Sequence, residues 1–342
     1  MYQHTSLPNV YRLLIAFLTV FVISLIGLTH ISIGAKSLSW LDIYQATTHF
    51  DNQNFTHHII LKQRFPRFVV AMCCGAMLGL SGFKAQKLLQ NPLVSSSTLG
   101  VSSGAVFFSL CAIYFFNIAE ENIFIPAFIG ACVAGVFTLA MSQVMNRSSI
   151  SKSLHIVLAG SLVSMLFSSL STFLMQLDPL RFTDIQDWLL GDISPSDFDD
   201  LLRILPIALF AVVVLLGQGR SLDVLIMGEK QARSAGVNVR FTKVMTLTCI
   251  FLLASLVVST IGPIGFIGLV VPHISKIFVT EVGAKGAWLS MLIGGILLTL
   301  ADLISRTLIA PKVLLVGGVS ASIGSICFLF LLYFLIRKKL TV

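Results

Sequence analysis

The chain has 342 residues, of which 56% are hydrophobic and 11% charged, and its mean hydropathy is +0.93. A soluble domain carries about 25% charged residues, so this composition excludes a soluble enzyme or soluble binding module and points to an all-α polytopic membrane protein. The formal charge of +8 implies no nucleic-acid partner, because the basic residues gather in short segments between apolar runs, as the positive-inside rule requires.

A bilayer is crossed by about 20 apolar residues, and this rule gives about ten spans. They fall at residues 12–34, 67–83, 98–117, 123–145, 154–177, 201–219, 243–261, 264–280, 286–309 and 313–336. The apolar run after Arg12 is too long for the core of a cleaved signal peptide, and no Ala-x-Ala-like site follows it, so it is read as a mature span. With both termini cytoplasmic, the inner segments collect Arg12, Lys84, Lys87, Arg147, Lys152, Arg220, Lys230, Arg233, Arg240, Lys243, Lys276, Lys285 and Arg337 to Lys339. That orientation is favoured by roughly two to one in Lys and Arg. No polar stretch is long enough for a second domain, so residues 1–342 are read as one transmembrane domain.

Three hydrophilic segments connect the spans. The first, about 35–66, lies outside and contains His57-His58, which lack a nearby third metal ligand. The second, 178–203, carries Asp178, Asp184, Asp187, Asp192, Asp197, Asp199 and Asp200 among Pro179, Gly191 and Pro195. EF-hand spacing is absent, so these aspartates read as a solvated external loop. The third, 219–243, lies inside: Glu229 to Ala235 favours helix, Gly236 stands as a C-terminal stop, and Asn238 is placed to begin another short helix. It reads either as an ordinary re-entry loop or as a pair of short docking helices.

Residues 262–273, Gly-Pro-Ile-Gly-Phe-Ile-Gly-Leu-Val-Val-Pro-His, interrupt the apolar pattern where the seventh and eighth spans meet. Such backbone lacks a complete helical ladder and survives at membrane depth only against protein or a water-filled path. A transport pathway and a kinked, tightly packed helix explain it equally well. Elsewhere Gly100-Val-Ser-Ser-Gly104 fits the Gly-x-Ser-x-Gly elbow of serine hydrolases. It opens an apolar helix rather than following a strand, so an intramembrane protease is disfavoured, and Gly75, Gly79, Gly100 and Gly104 read as close helix contacts. The cysteines at 73, 74, 111, 132, 249 and 327 sit inside spans without Cys-x-x-Cys spacing and read as packing residues, with no metal site. No phosphate-binding Gly-x-x-x-x-Gly-Lys-[Ser/Thr] motif occurs, so the energy for any transport comes from another polypeptide or an ion gradient. The span centres are almost free of ionisable residues, with Asp302 toward an outer end, which disfavours an ion-coupled secondary transporter.

The ordered blocks Arg64-Phe-Pro-Arg67, Gly75, Gly79, Ser81-Gly82, Gln86, Asn91-Pro92-Leu93, Leu99 to Gly104, Trp188-Leu-Leu-Gly191, Gly228-Glu229 to Gly236-Val237, Gly262 to His273, Ala301-Asp302 to Arg306 and Val316-Gly317 resemble the FecCD-type permeases. These are the transmembrane subunits of type II ABC importers for iron chelates and cobalamin, and the likeness runs from about residue 60 to 330. It implies ten spans with both termini inside and a dimer with a second permease copy or paralogue. It also implies two cytoplasmic ATPases that hold ATP and Mg, a periplasmic binding protein, and no cofactor on this chain. By the same resemblance, Gly228, Glu229, Ala232, Arg233 and Gly236 seat on the ATPase, and Arg64, Arg67 and Arg306 meet glutamates of the binding protein. Arg64 and Arg67 also suit interfacial anchoring, and Arg306 an i,i+4 pair with Asp302. Asn91, Pro92, Gly262, Pro263, Gly265, Gly268, Pro272 and His273 are the candidate broken-helix and pathway residues. The family's Leu-Pro-Val-Gly and Gly-Ala-Pro-Phe-Phe are replaced by Leu314-Leu315-Val316-Gly317 and Gly324-Ser325-Ile326-Cys327-Phe328, which implies a straighter final helix. The cargo expected on family frequency is a ferric siderophore, with cobalamin or haem as the alternatives, in a bacterial inner membrane.

Overall fold

The structure, a computed structural model, describes residues 9–34, 38–95, 97–119, 122–145, 152–183, 185–194, 197–278, 283–310 and 312–340, without the side chains of 9–18, 152, 153 and 331–340. Lys36, Arg147, Asp184 and Pro195 lie outside these residues, as do the side chains of Arg12, Lys152 and Arg337 to Lys339.

The described residues are helical and contain no strand. The first third comprises α1 (Asn9–Ser32), α2 (Trp40–Thr48), α3 (Phe55–His58), a π-helical turn at Ile59–Arg64, and α4 (Phe65–Leu89). The expected external loop at 35–66 is therefore largely helix. Ser39 and Asp42 form a capping box that starts α2, and Asn54 caps α3. The π turn ends beside Pro66, which has no N–H for the helical ladder, and the Phe65 N–H reaches back five residues to Ile60 O. Residues 55–89 thus form one continuous helix of 35 residues, longer than the expected span at 67–83. Lys84 and Lys87, assigned by sequence to a cytoplasmic loop, belong to α4 and are buried.

After a non-helical stretch come α5 (Val101–Phe116), α6 (Phe124–Met145), α7 (Lys152–Leu177), α8 (Gln186–Leu189) and α9 (Asp197–Gly217). The 219–243 segment folds as α10 (Gly219–Ile226) and α11 (Glu229–Ser234), and Gly236 takes a left-handed φ of +79° as the stop. Asn238 accepts from Phe241 N and so begins the long α12 (Val239–Ile261), not a further short helix. The last elements are α13 (Ile267–Phe278), α14 (Ala284–Thr307) and α15 (Val316–Leu340). Each apolar run expected as a span coincides with one helix among α1, α4, α5, α6, α7, α9, α12, α13, α14 and α15. In α15 no proline interrupts residues 316–340.

Helix α4 lies at the centre, buried nearly all round, as an element apolar on every face must be. Glycines set how closely its neighbours approach. A Cβ at Gly75 would stand 2.3 Å from Gly294 O of α14, and one at Gly82 would stand 2.0 Å from Gly268 O of α13. The same device joins α5 to α6, where a Cβ at Gly104 would lie 2.5 Å from Gly130 O. With no hydrophobic driving force between helices in lipid, such backbone approach maximises dispersion contacts. Helix α12, also buried along its length, bridges α4 and α9 to the α5–α6–α7 group.

Candidate functional site

Two interruptions of the helical ladder face one another across the fold. The first follows α4, whose C-cap Gln90 is left-handed at φ +47°. Asn91 then holds a turn by accepting from Leu93 N, and Pro92 lies in that turn. The chain remains non-helical, apart from a short 3-10 turn at Ser97–Leu99, until Gly100 at φ +88° opens α5. The stretch starts at the surface with Gln90, Pro92 and Leu93 and runs into the fold, where Val94, Ser95 and Leu99 are buried. Leu99 O accepts from Thr138 Oγ1 at 3.0 Å in the middle of α6, and a Cβ on Gly160 of α7 would meet Thr98 O at 2.7 Å. Thr138 thereby supplies the bond that a broken ladder leaves unmade.

The second interruption is the Gly/Pro run. Helix α12 stops at Ile261, Gly262 turns away at φ +72°, and α13 resumes only at Ile267. The break packs against the α8 segment and the start of α15. A Cβ on Gly262 would lie 2.1 Å from Trp188 O, one on Gly191 would lie 2.6 Å from Pro263 O, and Gly317 N donates to Gly191 O at 2.8 Å. Phe266 holds a positive φ of +65°, costly for a bulky side chain, and its Cβ lies against Gly324 of α15. Gly268 is a packing contact, Gly265 faces open space, and Pro272 is buried inside α13. His273 Nδ1 lies 2.8 Å from Leu269 O, and its ring meets Phe328 edge-on.

Between these breaks lies a cavity of about 660 Å³. Its walls combine Ser97, Ser103, Ser164, Ser168 and Thr172 with apolar side chains such as Val106, Met175 and Leu189, and Pro263 reaches it; among the described residues no charged side chain lines it. Of the eight pathway candidates only Pro263 reaches it. The row of hydroxyls, absent from the sequence expectations, was legible as Ser164, Ser168 and Thr172, which recur at four-residue spacing along one face of α7. Ser103 Oγ donates to Gly100 O and Thr172 Oγ1 to Ser168 O, so these hydroxyls spend their protons on the backbone and keep lone pairs for a ligand or water. Ser102 and Ser103 of the Gly-x-Ser-x-Gly match are part of this wall at the start of a helix, where no strand precedes them.

At the end of the fold that the charge bias places outside, α1, α4 and α14 converge on one carboxylate. Asp302 is fully buried, with His30 Nε2 at 2.7 Å from Oδ2, Arg67 Nε at 2.7 Å from Oδ1, and Arg306 Nε at 3.2 Å from Oδ2. At 2.7 Å from a carboxylate, His30 Nε2 carries the proton and donates, so the nearby Arg306 guanidinium donates to His30 O at 3.3 Å instead. Arg67 also approaches Asp192 of the α8 segment, Nη2 to Oδ1 at 3.5 Å. Burial pushes the Asp192 carboxyl up from its ordinary range, against the opposing pull of Arg67. Asp192 is thus no part of a solvated loop, and Asp197, accepting from Ser194 N at 2.7 Å, also turns inward. Arg64 is buried too: Nη1 donates to Ile31 O at 2.5 Å and Ser32 O at 3.1 Å, closing the C-terminal end of α1. The three arginines expected at a docking surface are therefore held by partners within the chain. Sequence reasoning missed His30 because its partner is 272 residues away.

At the opposite end, Ala232 is fully buried, while Glu229 accepts from Lys243 Nζ at 2.6 Å and lies 3.8 Å from Arg233. These contacts fasten α11 to the first turn and a half of α12.

A family model described as the FecCD transport family matches residues 18–334. The chain is 32% identical over 303 residues to the "Probable siderophore transport system permease protein YfiZ" of Bacillus subtilis, covering 87% of this chain and 89% of that one. It is 34% identical over 309 residues to the "Probable iron chelatin transport system permease protein" of Helicobacter pylori, covering 88% and 92%. Among solved structures it is similar to an inward-facing metal-chelate type ABC transporter, with a TM-score of 0.78, 26% identity, and coverage of 93% of this chain and 97% of that one.

Proposed function

The chain belongs to the FecCD transport family, and on that premise we propose that it is the permease subunit of a binding-protein-dependent importer that carries a ferric siderophore across the bacterial inner membrane. It is a multi-pass membrane protein and a transport permease. The observation that carries the mechanistic reading is the cavity set between two breaks in the helical ladder, mostly apolar with a row of hydroxyls along one side and, among the described residues, no charged side chain. Walls of this kind offer a few weak acceptors on an apolar surface. A charged chelate then finds stepping points without a site deep enough to trap it.

The hydroxyl stripe continues on the exposed side of α7 at Ser161, Ser168 and Thr172. Hydroxyls suit a water-filled path or a neighbouring helix better than lipid, which supports a dimer in which a second permease, a copy or a paralogue, completes the cavity. The missing prolines of the last span motivate the paralogue as a hypothesis; a stable, active transporter assembled from this chain alone would sink it.

ATP and Mg belong to two separate cytoplasmic ATPase subunits that seat on Gly228, Glu229, Arg233 and Gly236, with the buried Ala232 holding α11 in place beneath them, and this chain binds no cofactor. At the outer face, Arg67 and Arg306 are held by Asp302 and Asp192, and Arg64 by the carbonyls of Ile31 and Ser32. Glutamates of the binding protein then meet these arginines in exchange for their internal partners. Docking, ATP-driven closure of the ATPases and movement of the coupling segment then switch access to the cavity from one side to the other.

Uptake of radioactive iron as ferric siderophores, with cobalamin alongside, in iron-starved cells lacking or regaining this chain tests the assignment. Loss of one ferric chelate with cobalamin unaffected supports it. Loss of cobalamin or haem uptake with iron unchanged replaces the cargo.

A further inference from the structure

Lys84 is fully buried in α4, and among the described residues its ammonium has no hydrogen-bond partner. A buried, unpaired charge is among the most expensive features a fold can hold, and it calls for an explanation beyond packing. One turn on, Lys87 is also buried but is satisfied: its Nζ donates to Asp223 Oδ1 of α10 and lies 5.9 Å from the centre of the Phe83 ring. Among the described residues, the charged groups whose fields reach Lys84 are these same two, Lys87 and Asp223.

The helix carrying Asp223 is held in the core by Leu222 and Leu225 but has open space beside its first residue. Gly219, one turn before Asp223, has nothing within 4 Å of an added Cβ except Lys84 Nζ at 4.0 Å, and Gly217 has nothing at all. Between them Gln218 breaks α9 from α10. Asp223 is partly exposed, so its carboxylate is not walled in on every side. The step from Lys87 to Lys84 is three residues on one face of α4, about 4.5 Å along the axis, the size of a one-turn ratchet between packed helices.

We propose that Lys84 and Lys87 are alternative partners for Asp223, forming a two-position charge latch by which a shift of α10 against α4 is registered. In the arrangement described here Asp223 holds Lys87, and Lys84 is left unpaired. When α10 slides toward Gly219's open side, Asp223 passes to Lys84, and Lys87 keeps the face of Phe83. The unpaired Lys84 raises the energy of the first position and so lowers the work needed to reach the second. The latch rests on the reading of residues 219–243 as the segment that seats on the ATPase.

A purely structural role and the latch predict opposite pairings of stability with transport. In the complete complex with its ATPase and binding protein, Lys84→Met removes an unpaired buried charge, so thermal stability rises under either view. The latch predicts that uptake nonetheless falls about tenfold or more, within the range of coupling between sites, while ATPase subunits still co-purify, and that Lys84→Arg restores uptake. Cysteine pairs report the geometry directly. A 87–223 cross-link is expected to dominate without nucleotide, and an 84–223 cross-link to rise in the vanadate-trapped complex. Wild-type uptake by Lys84→Met, or an 84–223 yield unaffected by trapping, overturns the latch and leaves the coupling assignment standing. Retained ATPase binding by Gly236→Pro overturns the coupling assignment instead.

Discussion

Replacing Asp302 by Asn removes the one full charge that answers His30, Arg67 and Arg306. All four side chains are at least 87% buried, so the contacts at 2.7, 2.7 and 3.2 Å are little screened by solvent. Breaking a buried ion pair from one side typically costs about 3–5 kcal/mol, because the surviving charges stay buried without compensation. Asp192, 30% exposed and 3.5 Å from Arg67, compensates one guanidinium in part and leaves Arg306 with none. The expected loss is therefore in the same range, about 3–4 kcal/mol. A quadruple replacement of His30, Arg67, Asp302 and Arg306 by Leu is expected to be neutral or stabilising, since an apolar set carries no desolvation penalty. Denaturant unfolding in one fixed mixed-micelle composition, followed by helical circular dichroism, compares the variants. A loss below about 1 kcal/mol for Asp302→Asn would place the cluster among surface pairs and refute its role in tying α1 to α4 and α14.

Other expectations follow from single positions. Gly82→Ala puts a Cβ 2.0 Å from Gly268 O, so α13 must shift, and a loss of about 1–3 kcal/mol with reduced uptake is expected; unchanged stability would show that the α4–α13 approach is looser than described. Gln90→Gly relieves the exposed left-handed C-cap of α4 and is expected to gain about 0.5–1 kcal/mol in the same unfolding assay. Asp192 has a folded-state pKa above its unfolded one, so its contribution to stability declines as pH rises from the ordinary carboxylate range near 4. Asp192→Asn is therefore expected to be more stable than wild type at neutral pH. That advantage should vanish on acidification, which unfolding midpoints across the pH range would show.

Much of this architecture is legible in the sequence because lipid imposes a simple constraint. Long apolar runs must be helices, and α6, α7, α12 and α14 lie within a few residues of the runs that announce them. What is not legible depends on contacts across long separations. Lys84 and Lys87 read as loop cations because they sit at the C-terminal end of an apolar run, yet α10, more than 130 residues later, covers them. The aspartates of 178–203 read alike, and only the fold separates Asp192, turned to Arg67, and Asp197, bonded to Ser194 N, from the exposed Asp187 and Asp199. The Gly/Pro run marked the break at 262–266 correctly, but most of its residues pack backbone against backbone, and the cavity wall comes from the serines of α5 and α7. Those serines escape a search for charged or aromatic ligands because their signal is only a spacing.

The proposal that this chain moves its cargo on energy supplied by a separate ATPase is tested most directly by accumulation of a radio-iron siderophore in proteoliposomes holding the purified complex. With binding protein outside and ATP within, accumulation is expected, and it should disappear when the phosphate-loop lysine of the ATPase subunit is replaced. Accumulation that survives that replacement and collapses only when a proton or sodium gradient is dissipated would contradict the account.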